Sequence, residues 1–371
     1  MIPSEYVPMS WRMMTDFWER MAVATTRHID VHLHFNKRGS VSGKKSESIL
    51  QRMQSERPVL GDGGYLLELE RRGWVDSGSG REKVGTGKGS GQFTPEVAVE
   101  HPDSLRELHR EFLAAGSEVL QALTFFGTRE KLGRAGYGAQ TEAINDAAVQ
   151  IAREIARDRA YVAASISRTQ LFEREGSSAA SHVRDLLKEQ IALVTAAGVD
   201  FLIMETFFHL EEMLIGLECA RDTGLPVIAT MTFRPKLTEC SDGHSPAECA
   251  RAMVDAGAHA VGANCEQEPE RMISILREMR SAVSVPIAAQ PAAFRTTDAM
   301  PCFTKLPEFP DGMEQIQLPR SSFEQFAERA HSEGIRYVGG CCGCNAAYIR
   351  SVASGLAASA TSAAEEVVRL P

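Results

Sequence analysis

Short apolar segments alternate with helical segments from about residue 58 to the end of the chain, and this alternation restricts the fold more than any other feature. Apolar runs of this kind are typical of parallel strands, because helices cover both faces of a parallel sheet. The eight runs lie at 58–62, 118–123, 160–166, 200–205, 227–231, 260–265, 286–290 and from 337 onward. Eight strand–helix repeats predict an α/β fold, the (β/α)8 TIM barrel.

The barrel does not account for the whole chain of 371 residues. We assign residues 47–358 to it, since barrels of this type commonly use ~250 residues or more. Residues 1–46 lack the alternation and are predicted to be a poorly ordered N-terminal extension, and residues 359–371 are predicted to be a separate tail. The glycine-rich segment 77–91 lacks the spacing of a phosphate-binding loop, so we expect a flexible surface loop.

Charge and cysteine usage limit the partners and the compartment. The net charge of −9 argues against nucleic acid or an anionic membrane surface as a partner. No apolar run approaches the ~18–20 residues of a membrane span. Eight cysteines, spread unevenly, do not resemble a disulfide framework, and they favour a reducing, cytoplasmic location.

Polar residues collect at the ends of the predicted strands, where the active sites of barrels lie. They are Asp62, Thr124, Glu205, Cys265, Gln290, Cys341 and Cys342. Cys265 ends the sixth strand, and Cys341 and Cys342 end the eighth. Alternate strands contribute to the same layer, so the three thiols are expected to converge on a Zn²⁺ ion with one coordination position open. The structural alternative is small buried residues, because free cysteine packs as a small hydrophobe.

Several motifs resemble the homocysteine S-methyltransferase family, and within it the branch that uses betaine. They are Gly61-Asp62-Gly63-Gly64, Thr94-Pro95-Glu96, Glu205-Thr206-Phe207, Gly262-Ala263-Asn264-Cys265, Leu306-Pro307-Glu308-Phe309-Pro310 and Gly339-Gly340-Cys341-Cys342-Gly343. The resemblance extends over about residues 47–358. It implies that the three cysteines bind zinc and that the homocysteine sulfur completes the coordination.

The same resemblance implies how homocysteine is held. The carboxylates of Asp62 and Glu205 would bind its amino group, and backbone amides that follow the aspartate, beginning at Gly63, would bind its carboxylate. The chemistry agrees, because a free thiol is mostly protonated at neutral pH whereas zinc coordination deprotonates it. We therefore expect Asp62 and Glu205 to be catalytic as well as substrate-binding residues; capping a helix or anchoring a loop is their alternative role.

The methyl donor must be an onium compound, because a methyl group leaves readily only from quaternary nitrogen or sulfonium. Aromatic rings bind such cations by cation–π attraction. Phe93, Phe125, Phe126 and Thr206 resemble the donor pocket of the family, although Phe93, Phe126 and Thr206 replace a family Trp and two Tyr. The predicted donor is therefore betaine or a sulfonium, S-methylmethionine or dimethylsulfoniopropionate.

Two other functions stay open at this point. The first is a zinc-binding or thiol-sensing barrel without catalysis. The second is a metal-dependent hydrolase that uses His32 and His34, which an alternating strand would direct to one face. The leading prediction is an enzyme that transfers a methyl group to homocysteine and gives methionine. The oligomeric state stays open, with a homo-oligomer allowed.

Overall fold

The computed structural model of the chain describes residues 47–74, 95–234, 238–310 and 312–368. Its strands form one parallel sheet in the order β1-β8-β7-β6-β5-β4-β3-β2. They are β1 (Val59–Leu60), β2 (Val119–Ala122), β3 (Tyr161–Ser167), β4 (Phe201–Phe207), β5 (Val227–Met231), β6 (Ala260–Asn264), β7 (Ile287–Gln290) and β8 (Tyr337–Val338). Since the first strand pairs with the last, the sheet is a nearly closed barrel, and the predicted (β/α)8 fold is confirmed.

Helices follow the strands and cover the outside of the barrel. They are α1 (Ile49–Arg52), α2 (Leu66–Arg71), α3 (Val97–Glu100), α4 (Pro102–Ala115), α5 (Arg129–Arg134), α6 (Thr141–Ala156), α7 (Phe172–Glu175), α8 (Ala180–Ala197), α9 (Leu210–Arg221), α10 (Pro246–Asp255), α11 (Pro269–Ala282), α12 (Ser321–Ser332) and α13 (Ala346–Val368). The last helix continues past Ala358, where we predicted its end. Among the described residues, no helix is long and apolar enough to cross a membrane.

The alternation of side chains along each strand separates two apolar regions. Phe201 and Ile203 of β4 belong to the cluster inside the barrel, which also holds Tyr161 and Tyr337. The intervening Leu202 and Met204 belong to the larger cluster between the strands and the helices. Ile49 and Met53 join the inner cluster from α1 and the residue that ends it. The inner apolar layer fills the barrel interior beneath the polar residues that end the strands.

The barrel closes between β1 and β2 through side chains as well as backbone. The Glu118 amide donates to the Leu60 carbonyl at 2.7 Å, and the Gln121 amide donates to Asp62 Oδ2 at 2.7 Å. Arg52 donates to both oxygens of the buried Glu118 carboxylate at 2.9 Å. A predicted site residue, Asp62, therefore also joins the first strand to the second.

Gly262 provides a test of how closely β6 and β7 approach beneath the strand ends. A Cβ atom there would lie 1.8 Å from the carbonyl oxygen of Ala288, a backbone atom that cannot move without disrupting the sheet. We expect Gly262→Ala to lower the free energy of unfolding by about 3 kcal/mol or more, which is the upper end of the usual cost of overpacking a protein core. Urea denaturation measures the change.

Gly133 in α5 gives the matched control, because the nearest atom to its added Cβ would be 4.0 Å away. Gly133→Ala should raise the free energy of unfolding by about 0.5–1 kcal/mol, the usual gain in a helix. Equal stabilities for the two variants would show that the barrel tolerates a wider separation of β6 and β7.

Candidate active site

A cavity of about 430 Å³ opens at the carboxyl ends of the strands. Eight predicted site residues line it together: Gly63, Phe125, Phe126, Glu205, Thr206, Cys265, Cys341 and Cys342. Asp62 lies fully buried behind this wall and contacts two lining residues, Tyr65 and Gln121. Phe93, His32, His34 and the segment 77–91 lie outside the described residues.

The three predicted metal ligands form a compact thiol cluster. Cys265 follows β6 directly, and Cys341 and Cys342 follow β8 after two glycines. Their Sγ atoms all lie within 4.8 Å of one another, and those of Cys265 and Cys342 are 3.6 Å apart. Thiolates bound ~2.3 Å from a tetrahedral zinc ion lie about 3.8 Å apart. The spacing and the soft donors therefore fit a zinc ion.

Glycines set the position of the thiol cluster. A Cβ on Gly63 would lie 2.0 Å from the Cys344 carbonyl, and one on Gly64 would lie 2.5 Å from the Cys341 carbonyl. The Gly64 amide donates to Cys344 O, and the Gly340 amide donates to Asp62 O, both at 2.9 Å. The loops after β1 and β8 thus pack backbone against backbone, which is why glycine follows Asp62.

Asp62 is a buried carboxyl group with spare accepting capacity. Its Oδ2 accepts from the Tyr65 hydroxyl at 2.6 Å and from the Gln121 amide at 2.7 Å. Its Oδ1 is buried and has no hydrogen-bond partner among the described residues. Burial raises the pKa of Asp62 to about 7, against the lowering effect of these hydrogen bonds.

Glu205 presents a second carboxyl group to the cavity. The Ser165 hydroxyl donates to its Oε1 at 2.5 Å, and Asn264 Nδ2 donates to its Oε2 at 3.3 Å. Burial raises the pKa of Glu205 to about 8, and the charges of Cys265 and Asp62 add to the rise. Two carboxyl groups that are costly to ionise favour a ligand that carries positive charge.

Five lining residues have a left-handed backbone conformation that is uncommon outside glycine. They are Phe126, Thr206, Cys265 and Glu266, with φ between 55° and 63°, and Gln170, with a φ of 69°. Thr206 is the sharpest outlier, since it is β-branched. Asn264 holds it in place: its Oδ1 accepts from the Thr206 amide at 2.8 Å, and its Nδ2 donates to Thr206 Oγ1 at 2.7 Å. Such strain is typical of sites whose geometry the surrounding structure enforces.

The sequence pattern did not predict several residues of this cavity. Asn264 contacts both Glu205 and Thr206, yet nothing marked it except its place before Cys265. Tyr65, which directly precedes α2, donates from its hydroxyl to Asp62. Arg168 and Arg234 lie in loops, where hydrophobic periodicity gives no signal.

A second group that could hold a metal consists of Glu173, His209 and Glu212. The carboxylate of Glu173 already pairs with Arg168 at 2.7 Å, and Glu212 accepts from Thr169 at 2.6 and 2.8 Å. The thiol cluster is the better zinc site, because thiolates are softer ligands than carboxylates.

The chain is similar to known proteins over most of its length. The model of the family described as homocysteine S-methyltransferase matches residues 59–356. The chain is 37% identical to the mouse betaine–homocysteine S-methyltransferase 1, over 85% of this chain and 77% of that protein. It is 36% identical to the S-methylmethionine–homocysteine S-methyltransferase BHMT2 of Pongo abelii, over 83% of this chain and 81% of that protein.

A solved structure supports the fold. The metallated form of a homocysteine methyltransferase from Escherichia coli superposes with a TM-score of 0.62 and 18% identity. The superposition covers 81% of this chain and 96% of that one.

The raised pKa of Glu205 predicts how stability depends on pH. Below about pH 4.5 the Glu205 carboxyl is protonated in both the folded and the unfolded protein. Between about pH 4.5 and pH 8 it loses its proton only in the unfolded chain. The free energy of unfolding of the ligand-free protein should therefore fall relative to Glu205→Gln as the pH rises to about 8, and then level off. Since one pKa unit corresponds to ~1.4 kcal/mol, a few kcal/mol are expected.

Urea denaturation of both proteins from pH 4 to pH 9 measures this difference. Exposed Glu211, substituted to glutamine, serves as the control and should show no such trend. A constant difference between wild type and Glu205→Gln would mean that Glu205 ionises in the folded protein as easily as in water.

Proposed function

The chain belongs to the homocysteine S-methyltransferase family, and from this premise we propose that it uses zinc to move a methyl group from an onium donor to homocysteine, giving methionine. Methyl transfer to homocysteine follows from membership of the family. The zinc, the donor and the residue roles are our proposal. The observation that supports it most is a cluster of three thiols in one cavity with a buried glutamate.

Cys265, Cys341 and Cys342 are proposed to hold the zinc ion. When bound, the ion would lower the pKa of the substrate thiol, so that homocysteine reacts as a thiolate at neutral pH. The chain contributes the position of the thiols, fixed by the packing of Gly63 and Gly64 against the Cys341–Cys344 turn.

Glu205 and Asp62 are proposed to bind the ammonium group of homocysteine. Glu205 lines the cavity, while the unpartnered Oδ1 of Asp62 adds charge from behind it. An ammonium group lowers the pKa of a nearby carboxyl and so offsets the cost of ionising it in a buried site. The Gly64 amide is already occupied by Cys344 O, so Gly63 is the proposed donor to the substrate carboxylate.

The donor is proposed to be betaine or a sulfonium, with Phe93, Phe125, Phe126 and Thr206 around its onium group. The two relatives differ in the donor for which they are named, betaine for one and S-methylmethionine for the other, at 37% and 36% identity. Overall similarity therefore does not select between them. A weaker aromatic cage, with Phe at 93 and 126, favours the more reactive sulfonium.

We assign this activity to residues 47–358. Free thiols at the centre of the site favour a reducing compartment, which makes the cytoplasm the proposed location.

The proposed function is tested by incubating the zinc-loaded protein with homocysteine and one donor at a time. The donors are betaine, S-methylmethionine and dimethylsulfoniopropionate, and the product measured is methionine. At least one donor should give catalytic turnover. Stoichiometric zinc without methionine from any donor would instead support the non-catalytic zinc-binding alternative.

Removal of one thiol should abolish metal binding and activity together. Cys265→Ser leaves two thiolates, which cannot complete the proposed donor set, so zinc content by elemental analysis and methionine formation should both fall to background. Cys219 on α9 is the control because it lies outside the cluster, and Cys219→Ser should retain both. Full zinc content in Cys265→Ser would overturn the ligand assignment.

Loss of the Glu205 charge should weaken homocysteine binding. Glu205→Gln removes one charge-assisted hydrogen bond, which predicts a loss of about 1.5–3 kcal/mol, or roughly 10- to 150-fold in Kd. Calorimetric titration of the zinc-loaded protein measures it, with exposed Glu211→Gln as the control. An unchanged Kd would place the ammonium group elsewhere.

A further inference from the structure

Two arginines form one wall of the cavity and have no part in the proposed zinc or homocysteine sites. Arg168 directly follows β3, and Arg234 lies in the loop after β5. Their side chains are only 12% and 18% exposed. Their guanidinium carbons lie 4.0 and 4.7 Å from the centroid of the Phe208 ring. Contact with the ring and low exposure make this a well-positioned cationic wall.

Each of these arginines has N–H donors left over after it pairs with its acidic neighbour. Arg168 Nε lies 2.7 Å from Glu173 Oε1, and Arg234 Nη1 lies 3.2 Å from Glu266 Oε1. A guanidinium has five N–H donors in a planar fork, and one carboxylate uses at most two of them. Donors therefore remain for a second carboxylate, which a ligand in the cavity can supply.

The cavity carries charge of both signs. The thiols, Glu205 and Glu266 line it together with Arg168 and Arg234, and β4, which carries Glu205, lies between β3 and β5. A cavity that presents carboxyl and guanidinium groups together is complementary to a zwitterion. A simple cation would leave the guanidinium groups without a partner.

We propose that Arg168 and Arg234 bind the carboxylate of the methyl donor, an inference that rests on the proposed function. The donor class is then an onium carboxylate, with the sulfonium or quaternary ammonium group a short distance from the carboxylate. Onium compounds that lack a carboxylate are poor donors for this enzyme.

Two cationic side chains of the protein already lie near the ring of Phe126. Lys131 Nζ lies 4.2 Å and the guanidinium carbon of Arg168 lies 5.7 Å from the centroid of this ring. A ring engaged in this way attracts a further cation less strongly. Orientation of the donor therefore depends more on its carboxylate than on this ring.

The test compares two donors that share a dimethylsulfonium group and differ in the carboxylate. Dimethylsulfoniopropionate carries one, and ethyldimethylsulfonium does not. In Arg234→Gln, kcat/KM for the first should fall about 10- to 100-fold, the range of a charge-assisted hydrogen bond, mainly through KM. For ethyldimethylsulfonium, kcat/KM of Arg234→Gln should stay within about twofold of the wild-type value. Arg234→Lys should recover part of the lost kcat/KM, because lysine restores the positive charge but not the planar set of N–H donors of the guanidinium.

Arg277 gives a matched control, since it is an exposed arginine paired with Glu333. Arg277→Gln should leave both donors unaffected. If Arg234→Gln slows both donors equally, the arginine only shapes the wall, and the subsite is overturned. If neither donor is slowed, the carboxylate binds elsewhere, and the subsite is overturned as well.

Direct binding separates this inference from the proposed function. Calorimetry on the zinc- and homocysteine-loaded protein compares 3-(methylthio)propionate with its amide, which lacks the charge. Tighter binding of the carboxylate in wild type, lost in Arg234→Gln, supports the subsite even if no donor yields methionine. Equal binding of the two ligands overturns it, even if methionine is formed.

Discussion

The contact between the loops after the first and last strands is the constraint on which the site depends. β1 pairs with β8, and beyond the strands the Gly340 amide donates to Asp62 O while the Gly64 amide donates to Cys344 O. These residues are far apart in the chain and meet only when the barrel closes. The site therefore depends on global folding: Asp62 and the thiol pair have no fixed relation until closure is complete.

Closure also has an electrostatic consequence. It buries Asp62 and Glu205 where their pKa values rise to about 7 and 8, so both hold protons more tightly than in water. Buried carboxyls of this kind destabilise the ligand-free protein as they ionise. In our proposal, the ammonium group of the substrate relieves that cost, so the site would select a cationic head group by charge as well as by shape.

Periodicity was sufficient to predict the barrel, because every strand is buried on both faces and most are followed by a strongly patterned helix. The predicted strand 227–231 coincides with β5, and the other seven lie close to their predicted positions. The same assignment of eight strands also predicted that the three cysteines converge. The roles of Asn264, at the end of β6, and of the loop residues Arg168 and Arg234 were not predicted, because hydrophobic periodicity does not show which polar groups a side chain contacts. The left-handed Thr206 had no local signal either, since Asn264 imposes that conformation from the strand after next.

In the proposed function, the predicted aromatic cage and the arginine wall have complementary effects on the chemical step. As a methyl group passes from an onium donor to a thiolate, positive charge on the donor disappears. A strong cation–π cage holds the charged ground state more tightly than the transition state, and it therefore opposes the chemical step. A carboxylate does not change during the transfer, so in our proposal its bonds to Arg168 and Arg234 stabilise both states equally. Binding the donor through its unreactive end would lower KM without raising the barrier, and it would allow phenylalanine in place of larger aromatics around the onium group.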